Sequence, residues 1–138
     1  MTILIKSAKI IDSGSPHNGK IMDIFLENGI ISSIKKNINK KKEKIFFGEN
    51  FHVSPGWFDM HANFRDPGFE HQETLETGAG AAANGGFTGV ALMPSTFPPL
   101  DSKAGIDYIK SKTKNFIVDF FPLGAVSKEM KGKELSEM

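Results

Sequence analysis

Apolar positions in the first fifty residues fall into short β-branched runs separated by turn formers. Ile3–Ile11 is partly alternating and predicts a strand. Asp12–Gly19, with Gly14, Pro16 and Gly19, predicts a break. Met22–Leu26 predicts a second strand and Ile30–Ile34 its returning partner. Glu27-Asn28-Gly29 between them signals a hairpin, because Asn-Gly tolerates the positive φ of a tight primed turn. Lys44–Phe47 and Phe51–Val53 predict further short strands, so residues 1–53 are expected to form a small antiparallel β module.

The pattern changes after Ser54-Pro55-Gly56. Trp57–Met60 reads as a short apolar strand. Glu70–Asn84 is rich in helix formers, with Thr74 or a polar neighbour as cap and Gly85-Gly86 as stop. Phe87–Met93 is a near-continuous apolar strand of the buried, parallel kind. Pro94–Pro99 predicts a stiff loop, and Asp101–Thr113 a helix capped by Asp101 or Ser102. Phe116–Phe121 predicts a third strand, and a further helix is expected near Gly132–Met138. This β-α-β-α-β order implies a parallel sheet, either an open doubly wound sheet or a TIM barrel. No Gly-x-Gly-x-x-Gly follows a strand, so nothing favours dinucleotide binding. A TIM barrel needs about 250 residues and eight βα units. Either the sheet is open, or these residues begin a longer protein; an end inside a predicted helix favours the second.

Composition narrows the class. The chain has 138 residues, a net charge of +1 and no cysteine. Bulk attraction to nucleic acid or an anionic membrane is not expected. Disulfides and thiolate zinc sites are excluded. The basic run Lys35, Lys36, Lys40, Lys41, Lys42 and Lys44 lacks interleaved aromatics and reads as a solvated loop. No apolar stretch reaches membrane-span length and no signal-type N-terminus is present, so the expected location is cytoplasmic.

The candidate chemistry lies in Asp59–Gly68. His61, Asn63 and Arg65 alternate after an apolar run, so an extended strand would turn all three to one face. An imidazole there suits a metal, and a guanidinium grips a carboxylate with two parallel hydrogen bonds. The bland alternatives are a structural histidine, a turn asparagine, and an Arg65 ion pair with Asp66, Glu70 or Glu73. At the end of the next strand, Ser95 or Thr96 is placed to hydrogen-bond a ligand. His17, His52 and His71 have no partner at metal-ligand spacing and read as surface or structural residues.

These motifs, in order, resemble the cyclic amidohydrolases and most closely the dihydroorotases. Residues 55–68 are similar to the family's Pro-Gly-x-x-Asp-x-His-x-His-x-Arg-Glu-Pro-Gly, and Met93-Pro94-Ser95-Thr96-Phe97-Pro98 to its Met-Pro-Asn-Thr-x-Pro. Between them, Glu73–Gly78 and Ala81–Thr88 match its first helix and second strand. The resemblance implies the start of a metal-dependent-hydrolase TIM (β/α)8 barrel, preceded by a small antiparallel β-sandwich segment. Residues 1–53 would be part of the sandwich, and 54–138 the first two to three βα units of an incomplete barrel. It implies a zinc-dependent hydrolase of cyclic amide C–N bonds. The implied reaction is reversible cyclisation of N-carbamoyl-aspartate to dihydroorotate, in pyrimidine biosynthesis. His61 stands at the first zinc-ligand position, Arg65 at the substrate-carboxylate position, and Ser95 where the family uses an Asn for substrate. The general base lies beyond residue 138, so these residues alone are expected to be inactive.

Two positions depart from the pattern. Asn63 replaces the second zinc-ligand His and Ser95 the substrate Asn. The alternative implied is a catalytically inactive homologue acting as a scaffold for another pyrimidine-pathway enzyme. The expected partners are a small anionic cyclic amide and either a second copy of the protein or a pathway enzyme.

Overall fold

The computed structural model describes residues 1–40 and 44–137, which form two compact units, Met1–Pro55 and Gly56–Met138. Lys41 and Lys42 of the basic run lie outside the described residues. Its other members, Lys35, Lys36, Lys40 and Lys44, are exposed.

The first unit is one five-stranded sheet. It contains β1 (Thr2–Ile10), β2 (Ile21–Glu27), β3 (Ile30–Lys35), β4 (Lys44–Phe46) and β5 (His52–Val53). The β2–β3 hairpin turns at Asn28 and Gly29, whose φ angles of 52° and 80° are the two positive values of a primed turn. β1 pairs with β2 antiparallel but with β4 and β5 parallel, so the module is mixed rather than antiparallel. Strands of two or three residues carry little information on pairing partner or direction. A bulge between Ile5 and Ala8 puts Ser7 at a φ of 53°. There its N–H donates to Asp23 Oδ1 at 2.9 Å. Asp23, 4% exposed, also accepts from Ile38 N–H at 2.9 Å and pairs with Lys6 Nζ at 3.3 Å. Leu4, Phe25 and Ile38 form the small core beside it.

The second unit is a parallel three-stranded sheet, β6 (Trp57–Ala62), β7 (Phe87–Leu92) and β8 (Asp119–Pro122), in that order. It carries α1 (Leu75–Asn84) between β6 and β7, and α2 (Lys103–Thr113) between β7 and β8. Leu75, Leu92, Leu100 and Ile109 form the core between helices and sheet, with Phe64, Phe116 and Phe120 packed on it. Ala62, Val90 and Val118 extend it. Gly78 lets α1 approach that core, since a Cβ there would sit 2.6 Å from the Phe64 ring.

Some elements differ from expectation. α1 starts at Leu75 rather than Glu70. Thr74 is extended, accepts from Thr77 N–H and completes a capping box, so the chain cannot be helical before it. β8 starts at Asp119 rather than Phe116, because Phe116 N–H closes a turn onto Thr113 O and its ring joins the core. No helix forms over the described part of Gly132–Met138. Gly132, at a φ of 67°, reverses the chain after a 3-10 turn at Lys128–Met130. Leu135 then bridges back to Ser127, and Glu137 to Ser102. Met138 lies outside the described residues.

Candidate functional site

The site residues lie at the C-terminal ends of β6 and β7, where α/β barrels gather their ligand-binding groups. His61 is on β6, while Asn63 and Arg65 lie in the loop beyond it, since the strand ends at Ala62. Strict alternation does not carry through. The β6–β7 register shifts between Asp59 and Ala62, and Arg65 sits at a φ of 61°. Asp59 Oδ1 accepts from His61 N–H at 2.8 Å and ties down this irregular stretch. The His61 ring is exposed and has no hydrogen-bond partner among the described residues.

The loop after β6 is fixed from three directions. Asp66 is completely buried and accepts from Leu75 N–H, the start of α1, at 3.0 Å. Lys112, near the end of α2, reaches the same carboxylate at 3.1 Å. Partial desolvation pulls the Lys112 ammonium pKa down. Its hydrogen bonds to Asp66 and Tyr108 outweigh that and hold it above its ordinary value. The loop after β7 closes the third side: Phe97 N–H donates to Pro67 O at 2.9 Å and Gly68 lies flat against Phe97.

This arrangement settles what Arg65 does not bind. Asp66 is taken by Lys112 and α1. Glu70 accepts from Gly68 N–H at 2.9 Å, and this bond is the main reason its carboxyl is held below its usual range. Glu73 accepts from the Thr77 hydroxyl. Each acid named as an ion-pair partner for Arg65 is therefore engaged elsewhere. The Arg65 guanidinium contacts only the Gln72 side-chain oxygen, at 3.5 Å, among the described residues. An exposed guanidinium without a carboxylate partner is a ready anion receptor.

Ser95, on the loop after β7, donates its hydroxyl to Asn63 Oδ1 at 2.9 Å. Thr96 is buried, its hydroxyl donating to Pro98 O at 2.7 Å, and so supports the loop instead of facing a ligand. No cluster of three His, Asp or Glu able to hold a metal occurs among the described residues. His61 is one imidazole, and the oxygen of Asn63 is already used, so these residues do not by themselves form a metal centre. His17 and His52 belong to the first unit, where His52 bonds its own loop at Asn50, and in the second unit His71 lies beside Phe69 and Gln72. No local pattern marks Gln72, Lys112 or Phe97 as supports of the site. Each meets the site through a contact that depends on the loop path or on tertiary packing.

The chain is similar to known proteins along its length. The chain is 47% identical over 137 residues to a dihydroorotase of Acetivibrio thermocellus, covering 99% of this chain and 32% of that protein. It is 42% identical over 139 residues to a dihydroorotase of Caldanaerobacter subterraneus subsp. tengcongensis, covering 100% and 32%. The chain thus spans about a third of the length of the curated relatives it matches. An L-hydantoinase (dihydropyrimidinase) from Arthrobacter aurescens superposes with a TM-score of 0.77 at 23% identity, covering 91% of this chain and 28% of that one. That likeness shows a shared fold over this stretch. A family model described as dihydro-orotase-like matches residues 52–138, more than half of the chain and all of its candidate site. The chain belongs to the dihydro-orotase-like family.

Proposed function

We propose that the protein containing this chain is a dihydroorotase-type cyclic amidohydrolase, interconverting dihydroorotate and N-carbamoyl-aspartate. In the hydrolytic direction water adds to the ring amide carbon. The C–N bond breaks, giving a carboxylate and a ureido nitrogen. The observation that carries the reading is the unpaired Arg65 guanidinium at the mouth of β6. It is held by a loop whose own acids are all spent on structure. A guanidinium free of a protein carboxylate can grip a substrate carboxylate with two parallel hydrogen bonds.

In this reading residues 54–138 open the barrel, and residues 1–53 contribute to a β-sandwich that the rest of the protein completes. Arg65 binds the substrate carboxylate and Asn63 contacts the rest of the substrate, with the Ser95 hydroxyl at the side of Asn63. His61 is the one zinc-ligand position that this stretch retains. The other groups that would hold zinc and act as general base must come from elsewhere in the protein. The test uses full-length protein, freed of metal and then supplied with zinc. Turnover of dihydroorotate is the expected result; no turnover in either direction contradicts the proposal.

A further inference from the structure

The two departures from the family pattern touch each other: Ser95 Oγ donates to Asn63 Oδ1 at 2.9 Å, across 32 residues of sequence. We propose that Ser95 is a positioning residue for Asn63. The pair presents the Asn63 amide N–H2 as a hydrogen-bond donor to an oxygen of the bound substrate, in place of a second metal ligand.

An asparagine side chain has one acceptor oxygen and two N–H donors. A donor fixed on the oxygen fixes the amide plane and directs the N–H2 away from itself. Ser95 is such a fixed donor, because the backbone around it is pinned. Met93 N–H donates to Ala62 O at 2.9 Å, Thr96 N–H to Pro94 O at 2.8 Å and Phe97 N–H to Pro67 O at 2.9 Å. Ser95 is half-buried while Asn63 is exposed, and Asn63 Nδ2 has no partner among the described residues. Arg65, two residues on, supplies the cation. An amide donor beside a guanidinium suits an anionic substrate that also carries carbonyl acceptors. Zinc takes imidazole, thiolate or carboxylate ligands, and an amide whose oxygen already accepts a hydrogen bond is a poor substitute. The donor role rests on the functional reading above; the statement that Asn63 is not a metal ligand does not.

The full-length protein allows both parts to be tested. Zinc alone is titrated into metal-free parent and Asn63→Ala. Affinities within about twofold are expected, because second-sphere changes that matter cost about tenfold or more. A tenfold loss in Asn63→Ala makes Asn63 a ligand and overturns the proposal. This arm needs no substrate. With dihydroorotate, Ser95→Ala is expected to raise KM about fivefold, the equivalent of one neutral hydrogen bond, with little change in kcat. Ser95→Thr, which keeps the hydroxyl, should restore KM. The double variant Asn63→Ala/Ser95→Ala should match Asn63→Ala alone, since Ser95 acts through Asn63. Independent, additive losses in the double variant, or a loss confined to kcat, overturn the positioning role. A parent that does not bind dihydroorotate overturns the functional reading and the donor role with it, whereas a tenfold loss of zinc affinity in Asn63→Ala overturns the proposal and leaves the functional reading standing.

Discussion

Lys112 Nζ, near the end of α2, lies 3.1 Å from the fully buried carboxylate of Asp66, 46 residues earlier in the loop that carries Arg65. The same carboxylate accepts from the first N–H of α1. One side chain therefore ties the site loop to both helices. Lys112→Met would leave a buried carboxylate with only a backbone donor. It is expected to cost about 2–4 kcal/mol, toward the lower end because the Lys112 side chain is 38% exposed. Asp66→Asn keeps an acceptor for Leu75 N–H and should cost less. In the double variant the two losses should not add. Urea unfolding of the four proteins checks this, and simple additivity would show that the pair is not coupled.

Gly68 fixes the distance between the two site loops. Its φ is 104°, and a Cβ there would lie 2.3 Å from the carbonyl oxygen of Phe97. Alanine is disfavoured by the backbone angle and by backbone contact, so neither strain is relieved by a side-chain rotation. Gly68→Ala is expected to destabilise by about 2 kcal/mol or more. It should also weaken substrate binding by shifting Arg65. Calorimetric melting and KM for dihydroorotate measure the two effects; an unchanged melting temperature would refute the close approach.

Asp23 gives the first unit an acid-sensitive point. Burial raises its carboxyl, but the Ser7 and Ile38 N–H groups and Lys6 overcome that and hold it below its ordinary 3.8. A carboxyl lowered in the folded state stabilises above its unfolded value, and that contribution fades as pH falls through the folded one. The stability gap between parent and Asp23→Asn should therefore be fully present at pH 6 and shrink progressively below 3.8. Urea midpoints at pH 6, 4 and 3 measure it. A gap that stays constant across this range would contradict the assignment.

Much of this was legible in local sequence because the signals were local. Asn28-Gly29 encodes its turn through positive φ, and Thr74 its helix start through a side-chain cap. The alternating β and α segments of residues 57–122 are set by periodicity, and the structure follows them. What was not legible depends on partners distant in sequence. The parallel pairing of β1 with β4 is one example. The Lys112–Asp66 tie is another, and so is the Ser95–Asn63 bond. Alternation placed His61, Asn63 and Arg65 on one face, but it assumes an unbroken strand. The register shift before Ala62 and the left-handed Arg65 replace that strand with a loop.

In the proposed function Arg65 selects a carboxylate-bearing cyclic amide. The most direct measurement compares kcat/KM of the full-length protein for dihydroorotate and for dihydrouracil, which lacks the carboxylate, in parent and Arg65→Met. Dihydroorotate should be strongly preferred by the parent. Arg65→Met should lower its kcat/KM about a hundredfold, the loss of charge-assisted hydrogen bonds, while leaving dihydrouracil within a few-fold. Equal losses for both substrates, or a parent that prefers dihydrouracil, would rule out that role for Arg65.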